Sequence, residues 1–592
     1  MSPKSSADLE KAEHILDNPS ASSDDRTRSY SDSSQSTDDF DNGAGLAPVI
    51  SPEVAAVYSS SGIPLSISPS HPDSPDDEVA LERVRTALSI ANETVGKPAD
   101  ITSSGKPLPP FGGGKNYPPV LENPAAYVVD FDGKDDPIHP QNFPTLRKAK
   151  IMACLGFSTT TAAWGSSIFS SATLVIAEKF HVSDVVAILG MSLYVLGFAS
   201  GPLVWAPFSE LSGRRKPMIC GTFGFAVFNT AVARAYDLQT IMICRFFAGF
   251  FGAASLTVVP AAFSDIFGNR WRGTAMVIFS AGVFAGPLIA PVVGGFIVES
   301  YLGWRWTEYL TAIMGYFSFI LVFFFIDETY APTVLCEKAK VLRRLTGNWS
   351  IHAAQDEVEL DFKELIEKNF TRPVRMLLTE PILMLITIYT AFVYGILYLL
   401  LESYPIIFIQ GYGMSYSVGM LPYIGMLVGE FAGCGIVLSL EPRVLRAIAA
   451  NRGLPVPEMR LEGAMIGGVV FPIGMFWLTW TGNYHETVHW MAPTAAGVFI
   501  GAGIILIFLT CLTYLVEAYL MFAASAVAAN TMVRSGVGAG FPLFAAAMFH
   551  NLGINWAGTL LGCLGVVLAP VPVLFYIYGH RLRKASKYAP ML

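Results

Sequence analysis

The sequence predicts an all-α integral membrane protein, with twelve membrane-crossing helices in a 6+6 layout behind a disordered N-terminal tail. Three observations predict it. Of 592 residues, 52% are apolar and only 15% charged, against about 25% charged in a soluble globular protein; the mean hydropathy is +0.46. From residue 148 onward, apolar runs of about 20 residues recur, long enough at 1.5 Å per residue to cross a ~30 Å hydrocarbon core. Cations gather in alternate connections between those runs, as the positive-inside rule requires.

The tail comes first, over 1–145. Acids outnumber bases more than two to one there, and the remainder of the chain is mildly basic, so the formal charge of −8 belongs to the tail. Stretches such as SYSDSSQSTDD (29–39) and ISPSHPDSPDDE (67–78) bury too little apolar area to offset the entropy of ordering. The first thirty residues are polar and acidic with no cleavable signal peptide, so the tail is expected in the cytosol. FGGGK (111–115) lacks the Gly-Lys-Ser/Thr spacing and the preceding strand of a phosphate loop.

The apolar runs lie near 150–174, 185–208, 217–236, 239–263, 273–298 and 304–326, then 382–404, 416–439, 463–481, 492–515, 522–549 and 555–578. Six spans (146–326) and six more (382–579) flank a central loop (327–381), and a short basic tail (580–592) closes the chain. With the N-terminus inside, the inner connections receive Arg147, Lys148 and Lys150; Arg214, Arg215 and Lys216; Arg270 and Arg272; Arg443, Arg446, Arg452 and Arg460; and Arg581, Arg583, Lys584 and Lys587. Lys179 is the main outer exception, so both termini are expected to be cytosolic. The central loop carries two amphipathic stretches, CEKAKVLRRL and EVELDFKELIEKNF, expected as short helices at the membrane surface. On this topology the sequons at Asn348 and Asn369 face the cytosol and stay unmodified. Six of seven cysteines lie in apolar runs and Cys336 in a basic loop, giving neither a disulfide framework nor a Cys/His metal spacing. No nucleophile–base pair, metal cluster or nucleotide loop appears, so an enzyme, a bound cofactor and a nucleic-acid partner are not expected.

SELSGRRKPM (209–218) joins spans two and three. Gly213 suits a helix end, Arg214 and Arg215 favour the negative end of the helix dipole, and Glu210 beside them suggests a breakable ion-pair latch. The order APFSELSGRRK resembles the loop signature of the major facilitator superfamily, with Glu210 in the acid's place and Gly213, Arg214 and Arg215 matching; Ala206 and Leu211 depart from it. The resemblance implies that this loop clamps a cytosolic gate. ICRFFAGFFGAAS (243–255) resembles the family's span-four pattern. Arg245 there lies roughly 10 Å deep, at an insertion cost of at least ~2.5 kcal/mol, and the resemblance implies a role in proton coupling.

GVFAGPLIAPVVGGF (282–296) resembles the family's antiporter signature. Gly282, Gly286, Ala290 and Gly294 fall on one helix face, which lets another helix approach closely; Gly295 completes the pattern. Pro287 and Pro291 each remove a backbone hydrogen bond and are expected to bend the helix. GWRW (303–306), LESYPIIF (401–408) and ANTMVRSGVGAGFPLFAAAMFHNLGINWAGTLLG (529–562) are similar to the fungal twelve-span drug:proton antiporters. That likeness implies two six-helix bundles and a multi-pass, monomeric plasma-membrane exporter of small amphipathic compounds, driven by the proton gradient.

Proton coupling needs groups that titrate inside the membrane. Glu402 and Glu430 are the candidate acids, and Arg534 is expected to pair with an acid. A cavity between the bundles is expected to be lined by Trp164, Tyr194, Tyr394, Tyr398, Phe541 and Phe544. Two other readings stay open at this point: a nutrient importer of the same fold, and a receptor or scaffold signalling through the tail.

Overall fold

In hydrocarbon every backbone polar group must be satisfied within its own segment, which leaves helices as the economical solution. The computed structural model describes residues 127–589 except 134, 358–366, 452–455 and 520–521, and all of them belong to one compact unit. The N-terminal set is α1 (Thr145–Ser167), α2 (Asp184–Ser200), α3 (Arg215–Arg234), α4 (Leu238–Ile266), α5 (Asn269–Glu299) and α6 (Arg305–Phe325). The C-terminal set is α7 (Pro381–Tyr404), α8 (Tyr423–Ala450), α9 (Glu462–Asn483), α10 (Met491–Tyr519), α11 (Ala523–Leu552) and α12 (Ile554–Leu568). After α1 the chain continues through Ile168–Ala172 into Thr173–Phe180; α2 resumes as Pro202–Ser212 and α12 as Pro570–Ala585, each restart opening on a proline whose missing N–H costs nothing at a helix start.

Ten of the described helical segments are long and apolar enough to cross a membrane. The two remaining spans, α1 and α3, are 23 and 20 residues long, about 35 and 30 Å, but more polar. α1 opens on Arg147, Lys148 and Lys150, and α3 carries Arg215, Lys216, Asn229 and Arg234. The cations stand near the helix ends and are exposed or half-buried, while Asn229, the one buried polar group named, donates to the Phe225 carbonyl (2.7 Å).

The two halves repeat one packing plan. α5 packs on α1 as α11 packs on α7; α2 and α3 pack on α4 as α8 and α9 pack on α10; α6 packs on α3 as α12 packs on α9. The bundles meet along α2–α11 and α5–α8. They touch at both faces. On the basic face Gly273 of α5 abuts Glu441 of α8. On the opposite face the Ser417 N–H donates to Glu299 (2.8 Å) and the Tyr416 hydroxyl to the Ser171 carbonyl (2.6 Å).

Several sequence expectations need correction. Residues 127–133 and 135–145, assigned to the disordered tail, are ordered. Val129 N–H donates to the His352 carbonyl (2.8 Å) and His352 N–H to the Tyr127 carbonyl (3.1 Å), while Lys338 reaches Asp132 (3.3 Å) and Asp136 (3.7 Å). The tail's Ser/Asp/Pro average hid an apolar YVV, whose Val129 packs against Cys336, Ala339 and Ala353. In the C-terminal basic tail, helix runs to Ala585, Arg583 pairs with Glu458 (2.7 Å), and the Ser586 hydroxyl donates to Glu380 (2.6 Å). The first amphipathic stretch of the loop is helical, within Ala331–Thr346; most of the second lies outside the described residues, as do residues 1–126. Pro287 and Pro291 lie inside helix α5, which continues on both sides of them from Asn269 to Glu299, so neither proline ends it. Lys179 has cationic company on the opposite face: with Arg234, Arg305, Tyr236 and Tyr309 it lines a cavity of about 390 Å³.

Candidate functional site

Arg245 is fully buried and ties four helices together. Its Nη1 donates to the Gly165 carbonyl of α1 (2.9 Å) and its Nε to the Gly190 carbonyl of α2 (3.2 Å). Its guanidinium lies over the rings of Phe169 (4.6 Å) and Tyr194 (4.5 Å). Glycine is needed at both acceptors. A Cβ at Gly165 would stand 2.7 Å from the Tyr194 hydroxyl, and one at Gly190 2.5 Å from the Phe169 ring. The ion-pair partner is Glu308 of α6, its Oε1 3.4 Å from Nη1, with both side chains fully buried. Sequence reasoning missed Glu308. It sits in GWRWTEYL at the predicted start of span six, where an acid reads as a favourable helix N-terminus; an acid within a span was the available signal.

The bundles meet at mid-depth over aromatic and hydroxyl groups. Tyr398 of α7 donates to the Ser166 hydroxyl of α1 (2.9 Å), and the Tyr394 and Tyr398 hydroxyls lie 3.3 Å apart. Phe284 of α5 meets Phe508 of α10 edge-on, with ring centroids 4.7 Å apart. Arg534, expected to pair with an acid, has no acidic partner among the described residues; it lies over Tyr394 and Phe508, at 4.7 Å from each ring, and its buried Nε has no hydrogen-bond partner there. Ring faces replace a counter-ion because they offer a cation attraction without a second desolvated charge.

The expected cavity lining divides. Tyr394 and Tyr398 are at the interface. Tyr194 donates to the Ala162 carbonyl (2.7 Å) and belongs to the Arg245 node. Trp164 packs instead with Ile168, Ala290 and Leu310 inside the N-terminal bundle. Two positions along a helix turn by about 200°, so Ser166 facing α7 leaves Trp164 facing away. Phe541 sits against Gly395 within the C-terminal bundle, and Phe544 is 43% exposed. Gly538, which faces Tyr394, is six residues from Phe544, a turn of about 240°. Glu402 lies near Asp184, Tyr416 and Tyr423, with its Oε1 unpartnered among the described residues. Glu430 is 1% exposed, and neither of its carboxylate oxygens has a partner there.

The small-residue face of α5 is a seam against α1. Gly282 faces Thr160, Gly286 faces the Thr160–Trp164 backbone, and Gly294 faces Ser171. Gly295 points the other way, and a Cβ on it would come within 2.9 Å of Met420 in the other bundle.

At the basic face Gly213 has φ +85°, and the Glu328 carboxylate fills the space a Cβ would take. Glu328 accepts from the Arg214 N–H (2.7 Å) and the Arg215 N–H (3.3 Å). The Arg214 guanidinium pairs with Asp265 of α4 (2.9 Å) and lies over Tyr330 (4.5 Å). The Arg214–Asp265 pair forms because the helix end carries Arg214 across to α4. The Glu210 carbonyl accepts from Gln355 (3.0 Å), which joins the 209–218 turn to the segment beside His352. His352 places Nδ1 2.6 Å from the Ser350 carbonyl and Nε2 2.5 Å from Glu357. The Ser350 carbonyl, with Glu357, raises its pKa above the ordinary histidine value despite some opposing burial. Burial pushes the Cys336 thiol up to about 11, so it stays protonated.

The comparisons decide the family. The Major Facilitator Superfamily profile matches residues 155–542, about two thirds of the chain. The chain belongs to the major facilitator superfamily. Within this superfamily it is 52% identical over 513 residues to "Multidrug transporter TPO1_2" of Candida glabrata, covering 86% of this chain and 88% of the relative. It is 48% identical over 526 residues to "Major facilitator superfamily multidrug transporter FLU1" of Candida albicans, covering 88% and 86%. Among solved structures, the proton:xylose symporter XylE superposes with a TM-score of 0.53 at 15% identity, covering 74% of this chain and 96% of that one; this likeness is one of fold. The chain is thus a multi-pass membrane transporter with the superfamily's repeated six-helix plan.

Proposed function

We propose that this protein is a proton-driven exporter of small amphipathic compounds, acting as a monomer in the plasma membrane with its basic face and both termini in the cytosol. The observation that carries the reading is the bundle interface, a wall of tyrosines, phenylalanines and hydroxyls flanked by two buried cations, Arg245 and Arg534. Such a wall holds flat apolar cargo over ring faces, and a buried charge inside a span marks a pathway more often than a structural element. The direction, outward, and the cargo class rest on the relatives named multidrug transporters. The driving force suffices: one proton moving down 100 mV yields ~2.3 kcal/mol, and each pH unit adds about 1.36 kcal/mol.

The test is a susceptibility panel in a pump-deficient yeast expressing this chain, paired with drug uptake into sealed inside-out plasma-membrane vesicles. The reading requires raised tolerance to several unrelated compounds and uptake that stops when a protonophore collapses the gradient. Uphill uptake persisting after both the pH and voltage components are abolished removes it.

A further inference from the structure

We propose that the cavity on the face opposite the basic one, between the Thr173–Phe180 extension of α1 and the ends of α3 and α6, binds a phosphate group, and that a surrounding phospholipid supplies it as a headgroup. The proposal concerns binding alone and stands apart from the transport reading above.

The cavity measures about 390 Å³ and is lined by Lys179, Arg234, Tyr236, Arg305 and Tyr309, a volume within the range of ligand pockets, about 300–1,000 Å³. Lys179 belongs to Thr173–Phe180, Arg234 ends α3 and Arg305 opens α6, so three segments bring a cation to one place. The face is otherwise poor in cations, as the positive-inside rule requires: residues 405–422, 484–490 and 550–554 hold no lysine or arginine.

These charges are positioned without being neutralised. Arg305 Nε donates to the Ala233 carbonyl (3.1 Å) and Nη2 to the Ala235 carbonyl (2.5 Å), which fixes the guanidinium and leaves Nη1 without a hydrogen bond among the described residues. The guanidinium lies over the buried Trp304 ring (5.0 Å), and Lys179 Nζ lies over the same ring (5.5 Å). The two charges oppose each other. Arg234 lies beside the Tyr309 hydroxyl. No acid lines the cavity, and the nearby acids are used elsewhere. Asp237 accepts from the Thr240 N–H (2.7 Å) and hydroxyl (2.9 Å), Glu308 pairs with Arg245, and Glu178 is exposed outside the lining.

Closing the end of α3 accounts for Arg305 and for neither Lys179 nor Arg234. Ammonium, guanidinium and phenol donors arranged around one cavity suit a tetrahedral oxyanion, which accepts from several directions at once. The surroundings point to its source. Tyr236, Tyr301 and Trp306 are exposed at the ends of the same helices, and such aromatics mark the level of the headgroups. Farther along α6, Ile313, Phe317 and Ile320 are exposed and offer an apolar surface to acyl chains. Basic pockets between membrane helices hold anionic headgroups in this way. Phosphatidylcholine is disfavoured because its own ammonium stands beside the phosphate and is repelled by the three cations.

The test uses the purified full chain in detergent. Native mass spectrometry follows titration with dioctanoyl-phosphatidylinositol and dioctanoyl-phosphatidylcholine. Thermal unfolding is read in inorganic phosphate against chloride of equal ionic strength. One phosphatidylinositol should be retained in preference to phosphatidylcholine. Its half-saturation should rise roughly tenfold or more in the double variant Lys179→Gln/Arg234→Gln, and should not change in Lys340→Gln/Arg344→Gln, which removes equal charge from the basic face. A melting temperature raised by inorganic phosphate only while Lys179 and Arg234 are present, with no preference between the lipids, upholds the phosphate site and overturns its lipid source. Half-saturation unchanged in the first double variant, or raised equally in the second, overturns the proposal when phosphate also leaves the melting temperature unmoved. Should the first double variant not survive purification, each single change must raise half-saturation roughly threefold or more, and no rise in either overturns the site.

Discussion

Gly286→Ala places a methyl group where α5 lies against the backbone of α1. The added carbon would stand 2.7 Å from the Trp164 nitrogen, 2.9 Å from the Thr160 carbonyl oxygen and 3.0 Å from the Ala163 Cβ. Ordinary contact begins near 3.4 Å, so α5 must retreat by about 0.7 Å (3.4 minus 2.7). Two of the three obstructing atoms are backbone and cannot rotate aside. Overpacking of this kind costs about 1–3 kcal/mol. Gly282→Ala is the internal control. Its nearest obstruction is the Thr160 hydroxyl at 2.7 Å, with the next atom at 3.7 Å; the hydroxyl turns away at the loss of its bond to the Gly156 carbonyl, about 0.5–1.5 kcal/mol. Thermal unfolding of the purified protein, read by size-exclusion fluorescence, should show Gly286→Ala lowered by roughly 2–10 °C if the N-terminal bundle unfolds as a domain of its size, and Gly282→Ala lowered less. Fluconazole export should fall in the same order. Melting temperatures that agree within about 1 °C, or a larger loss in Gly282→Ala, would refute the seam as described.

Three further outcomes follow from the basic face and the topology. Arg214→Ala removes a charge-assisted bond to Asp265 and the stacking on Tyr330, about 1.5–3 kcal/mol. A cysteine placed at Val277 in an otherwise cysteine-free chain should then react with maleimide roughly tenfold faster or more from that face; unchanged labelling argues against a latch there. His352 has a folded pKa above its unfolded value, so its stabilising contribution is complete below about 6.5 and is lost as pH rises through the folded value. Hydrogen exchange over 127–143 should therefore quicken as the bathing pH rises from 6 to 8, after correction for intrinsic rates, and His352→Gln should flatten that response; a wild-type response in the variant excludes His352. Asn348 should remain unglycosylated in cells while a sequon introduced at 484–486 is modified, and a glycan on Asn348 would invert the proposed orientation.

The sequence by itself determined the spans, the 6+6 plan and the close α5 face, because each follows from local regularities: run length against bilayer thickness, cation placement and a four-residue spacing of small side chains. It also singled out Arg245, since a cation inside an apolar run is conspicuous in one dimension. Only the tertiary structure decided partners. Glu308 and Arg245 are 63 residues apart, Arg214 and Asp265 are 51 apart, and no periodicity links them. The turn of each helix then settled which aromatics reach the interface, keeping Tyr394 and Tyr398 there and sending Trp164, Phe541 and Phe544 elsewhere. The order in 127–143 likewise came from contacts with a helix some two hundred residues downstream, which composition averaged along the chain cannot register.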